Sequence, residues 1–272
     1  MSSQIKLIAS DMDHTLLTEA GELPPNFNDY VIKLQKFGVH FVIASGRPLC
    51  TLYKMFSAIK RKIIFIADNG GVISYKGKVI FKSLLNPQDY QSMIRFTKEH
   101  TDGIPVLCGL ETGYMEKKHK SYKNYLNKFY SKIHFVEDFE KLNVQACKFT
   151  VYFPNKNSGE EYEKTFKPQY NGVFSVTVGD TIWIDIMNNG IDKGGAMRFL
   201  GDYLHLTADQ MMAFGDTYND IEMLQSVKHS YVVKNASQDM RRYANFEADS
   251  NENFGVIKIL DKLIKELETP AV

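Results

Sequence analysis

Asp11 and Asp13 close the apolar run IKLIAS in the string DMDHTLL, and far downstream Asp216, Asn219 and Asp220 follow the apolar run MMAF in the string GDTYND. Each cluster stands where a buried strand is expected to end. In an open α/β sheet the carboxyl ends of the strands face the ligand crevice, so side chains from distant strands converge there on one charged ligand. Three or four carboxylates in one crevice repel each other. A hard cation makes the crowd tolerable, and Mg²⁺ typically takes one or two carboxylates, several waters and a substrate phosphate oxygen.

The elements that must position these groups read as alternating strand and helix. IKLIAS, VHFVIAS and KIIFIA are buried strands, the second ending at Ser45-Gly46-Arg47-Pro48 and the third at Asp68-Asn69-Gly70-Gly71. Phe27, Tyr30, Val31, Leu34 and Phe37 recur at helical spacing before a capping Gly38, and short helical connections imply a parallel sheet. VISYKGKVIF predicts a β-hairpin around Lys76-Gly77 that leads out of the first domain. From about residue 84 helices mix with hairpins, which suits an inserted α+β domain. There Asn86-Pro87 starts a helix, Ser158 with Glu161 predicts a capping box, and two strands flank Gly179-Asp180. Beyond Asn188 the rhythm resumes with a helix from Lys193 to Leu204, strand MMAF, helix DIEMLQSV, strand SYVV and a terminal helix carrying Val256, Leu260, Leu263 and Leu267. The expected architecture is a Rossmann-like parallel-sheet α/β core from residues 1–83 and 188–272 with an inserted α+β cap over 84–187.

Composition frames this without deciding it. With 272 residues, 44% hydrophobic and 24% charged, the chain has the profile of an ordinary globular protein, and its net charge of +1 argues against a general polyanion binder such as a nucleic-acid-binding protein. Cys50, Cys108 and Cys147 are odd in number and far apart, so neither a disulfide framework nor a cysteine zinc site is indicated. No apolar stretch approaches the ~20 residues that cross a bilayer, and the first ten residues lack a signal-peptide core, so a cytoplasmic protein without a membrane partner is expected.

DMDHTLL, the ASGRP segment with Ser45, Lys193 in IDKGGAM and the GDTYND box stand in the order and spacing of the four motifs of the haloacid dehalogenase superfamily of phosphohydrolases, which the whole chain resembles. The long insertion between the second and third motifs, with ADNGG ahead of it, resembles the Cof-type branch with its α/β cap. That resemblance implies a Mg²⁺-dependent phosphatase acting on small phosphomonoesters, commonly sugar phosphates, through an aspartyl-phosphate, as a monomer or small homo-oligomer.

The chemistry also follows from the residues. A carboxylate at a strand end, Asp11, can attack phosphorus as a covalent nucleophile, and Asp13, two residues on, can protonate the departing ester oxygen and later deprotonate water. The superfamily assigns the same roles. Ser45 can bond a phosphoryl oxygen beside the backbone N–H groups of Met12 and Gly46, while Lys193 at a helix start offsets charge on phosphate and Asp11. By resemblance Asp216 is the side-chain metal ligand, Asp220 binds or orients Mg²⁺, Asn219 supports Lys193 or the phosphate, and Asp13 lends the metal its backbone carbonyl. Arg47 and Asn69 are either substrate contacts or loop-stabilising groups.

His14 stands where many members of the family have glycine, so a backbone conformation easy for glycine is less so here, and it reads either as a loop histidine or as a group facing the substrate. Tyr122, Tyr125, Phe129 and Tyr130 at helical spacing read as a core face, and Lys117, Lys118, His119 and Lys120 as a solvated basic run. A phospho-accepting signalling module would not need Asp13 or a cap. A phosphomutase on the same motifs stays open. Neither a P-loop nor a GxGxxG pattern occurs.

Overall fold

The structure, a computed structural model, describes residues 5–269, so the first four and last three positions of the predicted core lie outside the described residues. Strands Leu7–Asp11 (β1), His40–Ala44 (β2), Ile63–Ala67 (β3), Val72–Tyr75 (β4) and Lys78–Lys82 (β5) come first. Ile104–Gly109 (β6), Gly113–Glu116 (β7), Ile133–Val136 (β8), Ala146–Tyr152 (β9), Phe174–Gly179 (β10) and Trp183–Asn188 (β11) follow, then Met211–Gly215 (β12), His229–Val233 (β13) and Phe246–Ala248 (β14).

One sheet has the order β14-β13-β12-β1-β2-β3-β4-β5, parallel except for the β4–β5 hairpin at its edge. Its central strands are continuous apolar runs because both faces are covered. Ile8, Phe41 and Phe65 pack under helices Phe27–Lys36 and Gly255–Glu268, while Leu7, Ala9 and Val42 pack under Lys193–Leu204 and Ile221–Gln225. The predicted hairpin turn is present, with Lys76 and Gly77 at φ of 52° and 76°, the pair of positive values that a type I′ turn requires.

The second sheet, β10-β11-β9-β6-β7-β8, is antiparallel apart from the β7–β8 pair. Helix Pro87–His100, capped by Asn86 accepting from the Gln88 N–H at 3.0 Å, packs Tyr90, Met93 and Ile94 against Phe149, Ile184 and Ile186. The capping box expected at Ser158 does not form. A helical turn does begin there, but the Ser158 hydroxyl donates to the Asp180 carbonyl at 2.9 Å, binding the turn to the β10–β11 loop instead. The chain passes from the first sheet to the second at Ser83–Leu85 and returns after Asn188, whose side-chain amide donates to Ser83 Oγ and the Leu84 carbonyl, each at 2.9 Å. Cys50, Cys108 and Cys147 are free, and among the described residues no helix is long and apolar enough to cross a membrane.

Candidate active site

β1 lies between β2 and β12, so the chain leaves β1 to one side and later returns to the other; the carboxyl ends of the three strands open a crevice at that switch. Asp11 is the last residue of β1, Ser45 follows β2 and Asp216 follows β12. Lys193 begins its helix behind an Asp192 cap, whose carboxylate accepts from the Gly195 N–H at 2.6 Å. The ammonium is fully buried and donates to Asp11 Oδ1 at 2.6 Å and Asp220 Oδ1 at 2.7 Å. The other Asp220 oxygen accepts from the backbone N–H groups of Asp216 and Thr217 at 3.1 and 3.3 Å, which fixes the GDTYND loop around it. Two glycines permit this closeness. A Cβ on Gly215 would stand 2.6 Å from that of Asp220, and one on Gly194 only 2.4 Å from the Glu222 carbonyl oxygen.

Carboxylate oxygens of Asp11, Asp216 and Asp220 lie within 4.8 Å of one another. Burial pushes Asp11 up to about 7 despite the pull of Lys193, with repulsion from Asp220 adding to the rise. Burial and the charges of Asp11 and Asp220 likewise hold Asp216 well above the usual carboxylate range, opposed by a 3.0 Å hydrogen bond from the Thr15 hydroxyl. Burial works against the Lys193 ammonium, but Asp11 and Asp220 outweigh it and keep the amine above its ordinary value. When all three are ionised, the carboxylates exceed the one ammonium by two negative charges, the deficit that one divalent cation fills. The all-oxygen donor set suits a hard ion.

The Asp13 side chain turns away from this cluster. Arg47 grips it with a fork, Nη2 donating to Oδ1 at 2.6 Å and Nε to Oδ2 at 2.9 Å. Arg47 also donates to the Lys128 carbonyl at 2.8 Å, and its guanidinium carbon lies 5.4 Å from the Phe129 ring centre, so one side chain joins the nucleophile loop to the second sheet's side of the crevice. Ser45 is buried and its Oγ accepts from the Arg47 N–H at 3.1 Å. Met12 buries its side chain, its carbonyl accepting from the Leu16 and Leu17 N–H groups. His14 has φ 63°, the left-handed conformation expected of a position where glycine is usual, and its Nδ1 lies 3.1 Å from Glu19 Oε1.

Asn69, at φ 53°, uses both ends of its amide within the protein: Nδ2 donates to Asp185 Oδ2 at 2.7 Å and Oδ1 accepts from Asn219 Nδ2 at 3.1 Å. Of the two readings of Asn69, the loop-bridging one matches these contacts. Asn219 lines the cavity with its Nδ2 donating to Asn69 and its Oδ1 buried and unpartnered, while the side-chain contacts of the Lys193 ammonium go to Asp11 and Asp220.

A cavity of about 250 Å³ lies over Asp11, Asp13 and Asp216, and its far wall comes from the second sheet. Lys148 there is 3% exposed and donates to the Gly46 carbonyl at 2.7 Å and Asp185 Oδ2 at 2.8 Å, while Thr150 donates to Asp185 Oδ1 at 2.6 Å. Sequence reasoning missed Lys148, Thr150, Asp185 and Thr15. A signal existed for two of them: a lysine inside ACKFTVY and an aspartate inside WIDIM are charges in otherwise apolar strands. The aromatic stripe is only partly the expected core face. Tyr130 is 3% exposed, yet Tyr125, Phe129 and Tyr130 all border the cavity together with Trp183. The basic run Lys117–Lys120 borders none of it, and Lys117 and Lys118 pair with Glu137 and Glu116.

The sequence matches the haloacid dehalogenase-like hydrolases over residues 8–260. A crystal structure of a protein from Streptococcus mutans UA159 superposes with a TM-score of 0.90 at 30% identity, covering 96% of this chain and 99% of the other. The 5-amino-6-(5-phospho-D-ribitylamino)uracil phosphatase of Escherichia coli (strain K12) is 28% identical over 265 residues, 96% of this chain and 97% of that one. A Bacillus subtilis (strain 168) phosphatase of the same designation is 25% identical over 258 residues, 94% of each chain. With the family pattern spanning nearly all of the chain and its four motifs gathered at the ends of β1, β2 and β12, this protein belongs to the haloacid dehalogenase-like hydrolases.

Proposed function

We propose that this chain is a Mg²⁺-dependent phosphatase that hydrolyses small phosphomonoesters, sugar phosphates or related metabolites, through an aspartyl-phosphate on Asp11. The observation that carries the reading is the cluster of Asp11, Asp220 and half-buried Asp216, with a single lysine bonded to the first two, two charges short of neutrality when all three are ionised. The carboxylates of Asp11, Asp216 and Asp220, with the Asp13 backbone carbonyl, would hold the ion. When bound it supplies positive charge to the phosphoryl oxygens and the attacking carboxylate.

In the first half-reaction an Asp11 oxygen attacks phosphorus, the P–O bond to the leaving group breaks, and Asp13 gives its proton to the departing oxygen. In the second, Asp13 takes a proton from water as the water oxygen attacks phosphorus, freeing Asp11 and inorganic phosphate. The Ser45 hydroxyl, the N–H groups of Met12 and Gly46 and the Lys193 ammonium offset the charge that gathers on the equatorial oxygens. Arg47 orients Asp13 through its fork, and Asn219 faces the substrate from the cavity wall. Residues 84–187 serve as the cap, whose wall over the crevice selects the leaving group and excludes water. The working partner is a small phosphorylated metabolite in the cytoplasm, met by a monomer or small homo-oligomer, and no nucleic acid or membrane is part of the scheme. Relatives designated for a phosphorylated ribitylamino-uracil make an ester of that kind one candidate among such metabolites.

The test is release of free phosphate from an aryl phosphate with Mg²⁺ and after exhaustive chelation. Full activity after chelation overturns the metal assignment, and transfer back to substrate in place of phosphate release marks a mutase. Asp13→Asn should cost on the order of 10²–10⁴, with less loss for acidic leaving groups, as a general acid demands. Equal losses for aryl and alkyl phosphates would sink leaving-group protonation.

A further inference from the structure

His14 is held more firmly than a loop residue needs to be. Its carbonyl accepts from Asn235 Nδ2 at 2.8 Å, and Asn235 Oδ1 accepts from the Asn251 N–H at 3.0 Å. Asn251, only 1% exposed, donates its side-chain amide to Glu19 Oε1 at 3.0 Å, and that same oxygen lies 3.1 Å from His14 Nδ1. The circuit thus starts at the backbone of His14 and closes on its ring. Bonds from Asn251 and His14 hold the Glu19 carboxyl below its usual range, so Glu19 accepts and Nδ1 carries the proton. What remains is Nε2, which makes no hydrogen bond among the described residues, on a ring that borders the cavity beside Asp13.

Packing does not account for this arrangement. A backbone at φ 63° suits glycine better than a residue with a Cβ, and the His14–Glu19 contact is about half exposed on both sides, where an ion pair contributes little. A ring fixed at Nδ1 and open at Nε2 is placed to meet a ligand. Adjacent Cα atoms are about 3.8 Å apart, so a group beside Asp13 reaches the atoms next to the ester oxygen that Asp13 protonates. Nε2 accepts from a hydroxyl when the ring is neutral and donates to one when it is charged, so the contact holds in either state. Resting on the phosphatase reading, we propose that His14 is a specificity-determining residue whose Nε2 hydrogen-bonds a leaving-group hydroxyl next to the phosphorylated carbon, and that Glu19 is a positioning residue that aims its ring. Part of the choice of substrate then resides in the nucleophile loop, apart from the cap.

The probes are racemic glycerol 1-phosphate and propyl phosphate, which share a carbon chain and differ only by hydroxyls. Asp11→Asn protein with Mg²⁺ and nitrogen-labelled histidine rings is titrated with each. The Nε2 resonance of His14, identified by its loss in His14→Gly, should move with glycerol phosphate and hardly with propyl phosphate. A resonance that stays still with glycerol phosphate, or moves alike with both, overturns the contact. In wild-type protein kcat/KM should favour glycerol phosphate, and His14→Gly, at ease in the left-handed turn, should cut that preference by about threefold to tenfold, mainly through KM, the worth of one hydrogen bond. His14→Asn tolerates the same backbone but is too short, and should do likewise. Glu19→Ala should reduce the preference when His14 is present and add nothing to His14→Gly, a dependence that a merely structural role would not produce. An undiminished preference in both His14 variants, or additive losses with Glu19→Ala, overturns the proposal. Silence on both esters speaks against the phosphatase reading, while the ring-nitrogen titration still decides the His14 contact on its own.

Discussion

Two lysines are buried in this protein, and each is held by aspartate, yet their surroundings differ. Lys148 meets Asp185, whose two oxygens are further satisfied by Thr150 and Asn69, so the charge of the pair is matched and both carboxylate oxygens are bonded. Lys193 meets Asp11 and Asp220 with Asp216 beside them, and charge is not matched. A balanced buried pair is explained by the architecture it ties together, here the Gly46 loop and the second sheet. An unbalanced one calls for a charge from outside. Burial alone therefore does not mark function; an uncompensated remainder does.

The largest expected difference is in turnover. Asp11→Asn keeps the shape of the strand end but removes the nucleophile, and phosphate release should fall below detection. Asp185→Asn, with an equally buried carboxyl, should leave the chemical step measurable. If Asp11→Asn keeps more than a few per cent of the wild-type rate, covalent catalysis at Asp11 is wrong.

Next come the lysines themselves. Lys193→Met and Lys148→Met should each cost about 3–5 kcal/mol by stranding a buried charge. The comparison predicts a difference in rescue: adding Asp185→Leu to Lys148→Met should recover most of the stability, because a balanced pair can be exchanged for apolar packing. No single partner change should rescue Lys193→Met, since two carboxylates would still remain together. Denaturant midpoints across the two sets would show it, and equal rescue in both clusters would erase the distinction.

The unbalanced cluster should also respond to metal in a pH-dependent way. Asp11 titrates at about 7 in the folded protein and near the ordinary carboxylate value when unfolded. A carboxyl raised on folding favours the folded state fully below about 4, and that contribution is lost as pH rises through about 7. The metal-free protein should thus weaken between pH 5 and 8. Mg²⁺ held at 100 times its pH 8 dissociation constant adds about 2.7 kcal/mol there, and melting curves at that same concentration should show the gain at pH 8 and little of it at pH 5. A shift independent of pH would mean that the ion binds elsewhere.

The smallest effect tests the balanced side. Asp68 is buried at φ 50° beside Lys148, with Oδ1 unpartnered, and burial pushes it up to about 7 despite the pull of Lys148, with Asp185 adding to the rise. The same sign applies, so its contribution is present below about 4 and lost as pH climbs through about 7. Asn tolerates the left-handed backbone, and Asp68→Asn should stabilise by about 1–2 kcal/mol at pH 8 and negligibly at about pH 4. Destabilisation at both values would show that the carboxylate has a partner that only it can satisfy.

Much of this was readable in advance where a local rule and the tertiary demand agree. Runs such as IIFIA and MMAFG have to be central strands, and the acids that end their neighbours follow from strand polarity. Lys193–Leu204 could be bounded from its sequence because an aspartate cap and a following apolar period mark it. The Ser158 box failed because a serine hydroxyl has several acceptors in reach, and the nearby Asp180 carbonyl took it. The contact between Lys193 and Asp220 was invisible for a related reason: in a short helical turn, which of two adjacent polar side chains faces the lysine depends on the loop's packing. Lys148 and Asp185 were legible only as charges in apolar strands, and their pairing across β9 and β11 needed the register, in which Asp185 stands opposite Thr150.

The amide of Asn188 that spans Ser83 and Leu84 fixes the two points where the chain leaves the first sheet and rejoins it as near neighbours. To the parent fold, everything between those points is a single closed loop, whose length adds only logarithmically to the cost of bringing its ends together. The insert can therefore grow, shrink or be traded for another without the parent sheet registering the change. On the proposed division of labour, that makes the junction at residues 83 and 188 a socket, where a reaction kept constant below can be offered successive new tastes above.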